Sequence, residues 1–286
     1  MGTADLVTQE QPVVVGDDGR EVQRPGTTRS GAGDDAPGGP ALELRREAQA
    51  QLVDAARVEQ QGNRVLVDVP QKRGGFSFGS LFGRQGIDCL VRCPEGSLLT
   101  VRTKSADLSV RGAIGGLNVA TASGDVEADR VKGGINVKSA SGDVRVSVVT
   151  AGANVQSASG DVEIGSVKGA VNVNTASGDV TINEADDNVN VNTVSGDQEH
   201  GAVMRGSVSA HSVSGDVHIG VRRGSKVYLD CTTVSGDTSS ELEVSPEAPA
   251  TDGPLVEIRA KTVSGDIRIT RAPAPIVNEE HQEVHA

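Results

Sequence analysis

The stretch that decides the fold is Ser141-Gly-Asp-Val-Arg-Val-Ser-Val-Val-Thr-Ala-Gly-Ala-Asn-Val-Gln-Ser-Ala-Ser-Gly-Asp161. It begins and ends on the same tripeptide, and two alternating segments lie between: Val144-Arg-Val146 and Ala153-Asn-Val155. Alternation with period two is the signature of a strand with one buried face. Each segment is therefore read as a strand, and the Gly- and Asp-bearing tripeptide that flanks the pair as a turn.

Working outward, the tripeptide Ser-Gly-Asp recurs from Ser123, Ser141, Ser159, Ser177, Ser195, Ser214, Ser235 and Ser264, with a degenerate copy at Ser105-Ala-Asp107. From Ser105 the first five intervals are all 18 residues; those that follow are 19, 21 and 29. A second marker keeps the register. Asn118, Asn136, Asn154, Asn172 and Asn190 each follow the repeat Asp by 11 residues. A unit this short cannot bury its own apolar face, but stacked copies bury it continuously. The expected fold is all-β: a parallel β-solenoid, helix-like in its coiling, with 18-residue rungs turned at Ser-Gly-Asp corners. The alternative is a long antiparallel β-meander.

Stacking assigns roles to the repeated residues. Parallel rungs set equivalent positions about 4.8 Å apart. The asparagines then form an outward ladder of amides able to bond along the column. The corner pairs are Gly124 and Asp125, Gly142 and Asp143, Gly160 and Asp161, Gly178 and Asp179, Gly196 and Asp197, Gly215 and Asp216, Gly236 and Asp237, and Gly265 and Asp266. Glycine permits positive φ at a sharp corner. Neighbouring carboxylates at that spacing repel by about 1 kcal/mol in water, so the Asp column is expected at the surface, each carboxylate accepting a turn amide. The competing reading is a calcium ladder. Calcium-binding β-rolls, however, repeat every nine residues and supply more ligands per turn. The corner reading is preferred.

Composition sets the remaining bounds. The chain has 286 residues, no Trp, one Tyr and three Phe, and the β-branched residues that dominate its apolar content suit stacked strands. Its net charge is -12. Nucleic-acid binding calls for clustered cations and aromatic platforms, and an anionic membrane also calls for cations; neither partner is expected. No segment approaches the roughly 20 apolar residues that span a bilayer, so no membrane insertion is expected. The opening residues lack the basic and apolar regions of a secretory signal. The expected location is the cytoplasm, with the cell surface as the alternative. Cys89, Cys93 and Cys231 have no disulfide spacing and are read as small buried hydrophobes. No metal, cofactor or catalytic residue is assigned.

The ends depart from the repeat. Residues 1–40 are expected to be disordered or weakly structured. Residues 41–104 should cap the solenoid, and Leu44, Ala48, Leu52 and Ala55 within 41–59 predict a short helix. The solenoid proper spans 105–271 with a loop insertion at 239–254, and a flexible tail follows at 272–286. Phe76, Phe78 and Phe82 are expected to pack into the cap, the other reading being an exposed partner-binding loop.

The Ser-Gly-Asp-Val-x-Val/Ile rungs, the segment Ala56–Pro70 and the closing rung Val256–Ile269 resemble a bacterial β-strand-repeat family, in its actinobacterial form, that carries an adhesin label and is classed as a domain of unknown function. The resemblance covers residues 56–271; the first 40 residues depart from it. It implies a β-solenoid without known catalysis. The expected function is a non-catalytic structural or interaction scaffold whose partner is a protein. An exported adhesin is the alternative, and a β-helical carbohydrate-active enzyme a remote one. Catalysis needs a singular cluster, whereas here the polar residues recur from rung to rung.

Overall fold

The computed structural model describes residues 2–5, 41–45, 57–61, 64–69, 88–242 and 253–272. Two nine-stranded sheets face each other across a shared interior. In stacking order the first holds Leu98–Arg102, Gly116–Ala120, Ile135–Ser141, Ala153–Ser159, Val171–Ser177, Val189–Asn192, Gly206–His211, Leu255–Ser264 and Lys226–Ser235. The second holds Leu108–Ile114, Val126–Val131, Val144–Val149, Val162–Val167, Val180–Ala185, Gln198–Val203, Val217–Val221, Ile267–Arg271 and Thr238–Ser240.

Every strand pair in both sheets is parallel, and the register follows the repeat. Val144 lies opposite Val162, and Asn136 opposite Asn154. The chain is thus a parallel β-solenoid, and the antiparallel meander is excluded. Alternation sorts the side chains. In Val144–Val149 the valines at 144, 146 and 149 are buried, while Arg145 and Ser147 face out. Columns such as Val126, Val144, Val162 and Val180 therefore stack inside, each at most 2% exposed. Burial of a β-branched side chain of this size contributes about 1.5–3 kcal/mol. One apolar seam, repeated rung after rung, holds the rod together.

One step breaks sequence order. The rung made last along the chain, Leu255–Ser264 with Ile267–Arg271, lies between Gly206–Val221 and Lys226–Ser240. The chain goes first to the outermost position, then doubles back to fill the slot it left. The side chains fit this exchange. Val256, Ile258, Ile267 and Ile269 are fully buried in the inner slot, whereas the outer rung carries exposed Thr238, Ser239 and Ser240. In the second sheet the terminal strand is thus polar, as suits the end of a repeat array.

At the other end, Gly2–Asp5, Arg64–Val69 and Arg57–Gln61 form a small antiparallel sheet, and Gly2–Asp5 lies alongside Leu98–Arg102. Ala41–Arg45 pairs antiparallel with Asp88–Arg92. The helix expected within 41–59 does not extend to the ends of that segment, which are both strands, and residues 46–56, with Ala48, Leu52 and Ala55, lie outside the described residues. Leu44 fits the helical spacing with Ala48 and equally an alternation with Leu42, and pairing with Asp88–Arg92 selects the extended form over 41–45. Phe76, Phe78 and Phe82, most of the 239–254 insertion and the tail after Ala272 lie outside the described residues.

Candidate functional site

The eight Ser-Gly-Asp corners line up along one edge of the rod, and their polar groups are linked from rung to rung. The backbone N–H of Asp125 donates to Asp107 Oδ1 at 2.9 Å. Asp143 donates to Asp125 at 2.8 Å, Asp161 to Asp143 at 3.0 Å, Asp179 to Asp161 at 2.9 Å and Asp197 to Asp179 at 2.8 Å. The series continues through Asp216, Asp266 and Asp237, each step 2.8 Å, and follows the exchanged spatial order rather than the sequence. Meanwhile the Asp161 carbonyl accepts the Val144 N–H at 2.8 Å, so each corner is tied to its neighbour in both directions.

This arrangement answers the repulsion that a column of carboxylates would otherwise suffer. An ionised acceptor makes a shorter, stronger bond to an N–H than a neutral one does. Asp143 has further support. The Asp161 amide, and then Arg145, whose Nη2 lies 2.9 Å from Asp143 Oδ2, hold its carboxyl below the usual carboxylate range. Among the described residues no three His, Cys, Asp or Glu side chains converge as a metal-holding group.

The corner glycines serve two ends at once. Gly160 sits at φ +122°, and a Cβ there would run into the Gly142 carbonyl of the rung beneath. The backbone must both turn through a conformation that L side chains rarely adopt and pass within contact of its neighbour.

Beside this column runs a second one, which the sequence reading passed over. The residue before each Ser-Gly-Asp is Ala122, Ala140, Ala158 and Ala176, then Val194, Val213, Val263 and Val234 in stacking order, and all eight are exposed. The four valines are 53%, 49%, 48% and 79% exposed, respectively. The edge thus carries a serine column, a carboxylate column and an apolar stripe that grows toward one end. The shift from Thr/Ser-Ala-Ser-Gly-Asp to Thr/Ser-Val-Ser-Gly-Asp is visible in the repeat.

The asparagine ladder forms on the outer face of the first sheet, in segments. Asn136 Nδ2 donates to Asn118 Oδ1 at 3.0 Å, Asn154 to Asn136 at 3.3 Å and Asn190 to Asn172 at 3.1 Å. Between Asn154 and Asn172 the ladder is interrupted: Asn154 Oδ1 has no partner, and Asn174 donates to Asn172 at 3.4 Å instead.

Inside the rod one rung differs. Gln198 aligns with Val180 and Val217, and His200 with Ile182 and Ile219, so two polar side chains occupy interior columns. Both are 1% exposed. Gln198 Nε2 donates to Thr193 Oγ1 at 3.1 Å and to the His211 carbonyl at 2.8 Å, but its Oε1 and both His200 ring nitrogens are unpartnered. Burial, helped by the nearby charge of His218, pushes the His200 pKa down to about 4. The register alone marks His200, eighteen residues after Ile182. Of the cysteines, Cys89 is buried, and burial pushes its thiol up to about 11.

No curated protein and no solved structure matches the chain. The family model Toastrack DUF4097, a domain of unknown function, matches residues 40–270. With the stacked rungs and the single linked edge on that same span, the chain belongs to the Toastrack DUF4097 family.

Proposed function

We propose that this protein is a non-catalytic interaction scaffold whose Ser-Gly-Asp edge is a repeated binding face for a protein partner. The observation that carries the reading is the edge itself: serine, carboxylate and exposed alanine or valine, offered again at every rung. Copies stacked about 4.8 Å apart offer a partner laid along the edge the same weak contact many times. The apolar stripe is largest at Val194, Val213, Val263 and Val234, so that half is the stronger anchor. Acid–base or nucleophilic chemistry would call for a singular cluster in a cleft, and the polar groups of this edge are shared by all the rungs. An exported adhesin would use the same rod in another place.

The reading is tested by photo-crosslinking in cells. A photoreactive residue at Val194 or Val213 should give discrete protein adducts, and one at Glu163, on the outer face of the second sheet, should not. Adducts from neither position, or equal adducts from both, would sink the edge as a binding face. Fractionation and protease shaving of intact cells separate the cytoplasmic scaffold from the surface adhesin.

A further inference from the structure

The two ends of the rod differ. At the N-terminal end Gly2–Asp5 lies alongside Leu98–Arg102, the first strand of the first sheet in stacking order. At the other end that sheet stops at Lys226–Ser235, and no described strand pairs with its outer side. This edge is ten residues long, with no proline and one lysine, the kind of edge that seeks a partner strand. Its backbone is oriented for one. The Lys226 N–H donates inward to the Pro254 carbonyl at 2.9 Å, and the direction alternates along a strand, so the amides of Val227, Leu229, Cys231 and Thr233 point outward. Val227, Leu229 and Cys231 continue the interior columns of Val256, Ile258 and Ala260 but are only partly covered, and Tyr228 is 58% exposed.

We propose that this edge pairs antiparallel with the same edge of a second copy, joining two rods end to end about a two-fold axis at Leu229. The occupant is argued from shape and charge. A surface that matches the cross-section of a solenoid end is another solenoid end, and the opposite end is occupied by its cap. Two-fold pairing of one patch with itself is the commonest way for a chain to close an interface. The register follows from the side chains. Centring the axis on Asp230 would set two carboxylates directly opposite, which is destabilising. Centring it on Leu229 sets Leu229 against Leu229 and Val227 against Cys231 of the second copy, apolar on apolar along the interior column. On the outer face Tyr228 then meets Asp230, and Lys226 lies diagonal to Asp230 of the second copy. The strand's two charges, Lys226 and Asp230, are thereby brought together with opposite sign.

The experiment is sedimentation of the full chain. The unmodified protein is expected to sediment as a dimer at micromolar concentration. Leu229→Lys, which opposes two like charges across the axis, should weaken the dimer by at least about tenfold, with an unchanged circular dichroism spectrum. Leu229→Glu should do the same. Mixing the two variants should restore a dimer containing one of each. Should either charged variant fail to fold, Leu229→Cys in a chain with Cys231→Ser keeps the test open: a short bismaleimide should join two chains through the new thiol. A monomeric unmodified protein, a dimer indifferent to Leu229→Lys, or no crosslink through Leu229→Cys would overturn the proposal.

Discussion

At the scale of single residues, the carboxylate ladder makes a graded claim. Asp161 Oδ1 accepts the Asp179 amide, and replacing the carboxyl leaves that donor bare. Asp161→Ala is expected to destabilise by about 1–3 kcal/mol. Asp161→Asn keeps an acceptor oxygen and should cost less, and urea unfolding of the two variants checks the order. His200 makes an opposite claim. It is neutral in the fold, with a pKa of about 4, against 6.5 when unfolded. Because the unfolded chain takes the proton first, stability is complete above pH 6.5 and falls as the pH drops toward 4, by about 3 kcal/mol in all. His200→Ile restores the isoleucine column between Ile182 and Ile219. The variant should melt higher at neutral pH and lose much of the acid dependence over that window; an unchanged pH profile would contradict the account. Asp143 runs with the opposite partner but the same sense. Its depressed pKa favours the fold above the usual carboxylate range, and that contribution fades as acid titrates it.

At the scale of the rung, the eighteen-residue period is a mechanical constraint. Deleting Gly142–Ser159 removes one full period and joins Ser141 to Gly160, so Asp161 would follow Asp125 in the ladder and every column would continue. That variant should remain soluble and rich in β structure. Deleting Gly142–Thr150 removes half a period and throws every later apolar residue to the wrong side, so it should not fold. Circular dichroism and melting curves distinguish the two, and equal tolerance would refute the rung assignment. The corner reading has its own check. Since one oxygen of each carboxylate from Asp107 through Asp266 along the stack is engaged by a backbone amide, a calcium chelator should leave the melting temperature unchanged. A large calcium-dependent rise would show linkage to a bound ion.

At the scale of the whole molecule, what could be read in the sequence depended on repetition. The pairing of Val144 with Val162 and of Asn136 with Asn154 follows from one number, the period, which five successive intervals of 18 residues repeat. The corner hydrogen bonds were legible for the same reason, because repulsion within a carboxylate column demanded a donor and the turn supplied one. Where the chain does not repeat, local pattern was ambiguous. Leu44 fits an alternation with Leu42 or a helical spacing with Ala48, and the partner that decides, Asp88–Arg92, lies more than forty residues away. The exchanged order of the last two rungs left a trace in the intervals of 21 and 29 residues, but an interval reports an insertion and not which slot its rung fills. His200 and the Val194 stripe were present in the register and needed only column-by-column comparison to find.

The exchanged rungs have a consequence in time. A simple solenoid can wind up behind the ribosome, each coil settling on the one before as it emerges. Here that process stalls after Val221. Lys226–Ser240 appears next, but the surface it rests on, Leu255–Arg271, has not yet been made. The outer coil must wait, unsupported, until the later segment arrives and slips in beneath it. Completion of that end is therefore a single late event involving both coils. In the reverse direction the order is fixed: the inner coil, held on Gly206–Val221, cannot leave while the outer coil stays in its native place, so the outer coil is a latch that must lift before the rod comes apart from that end.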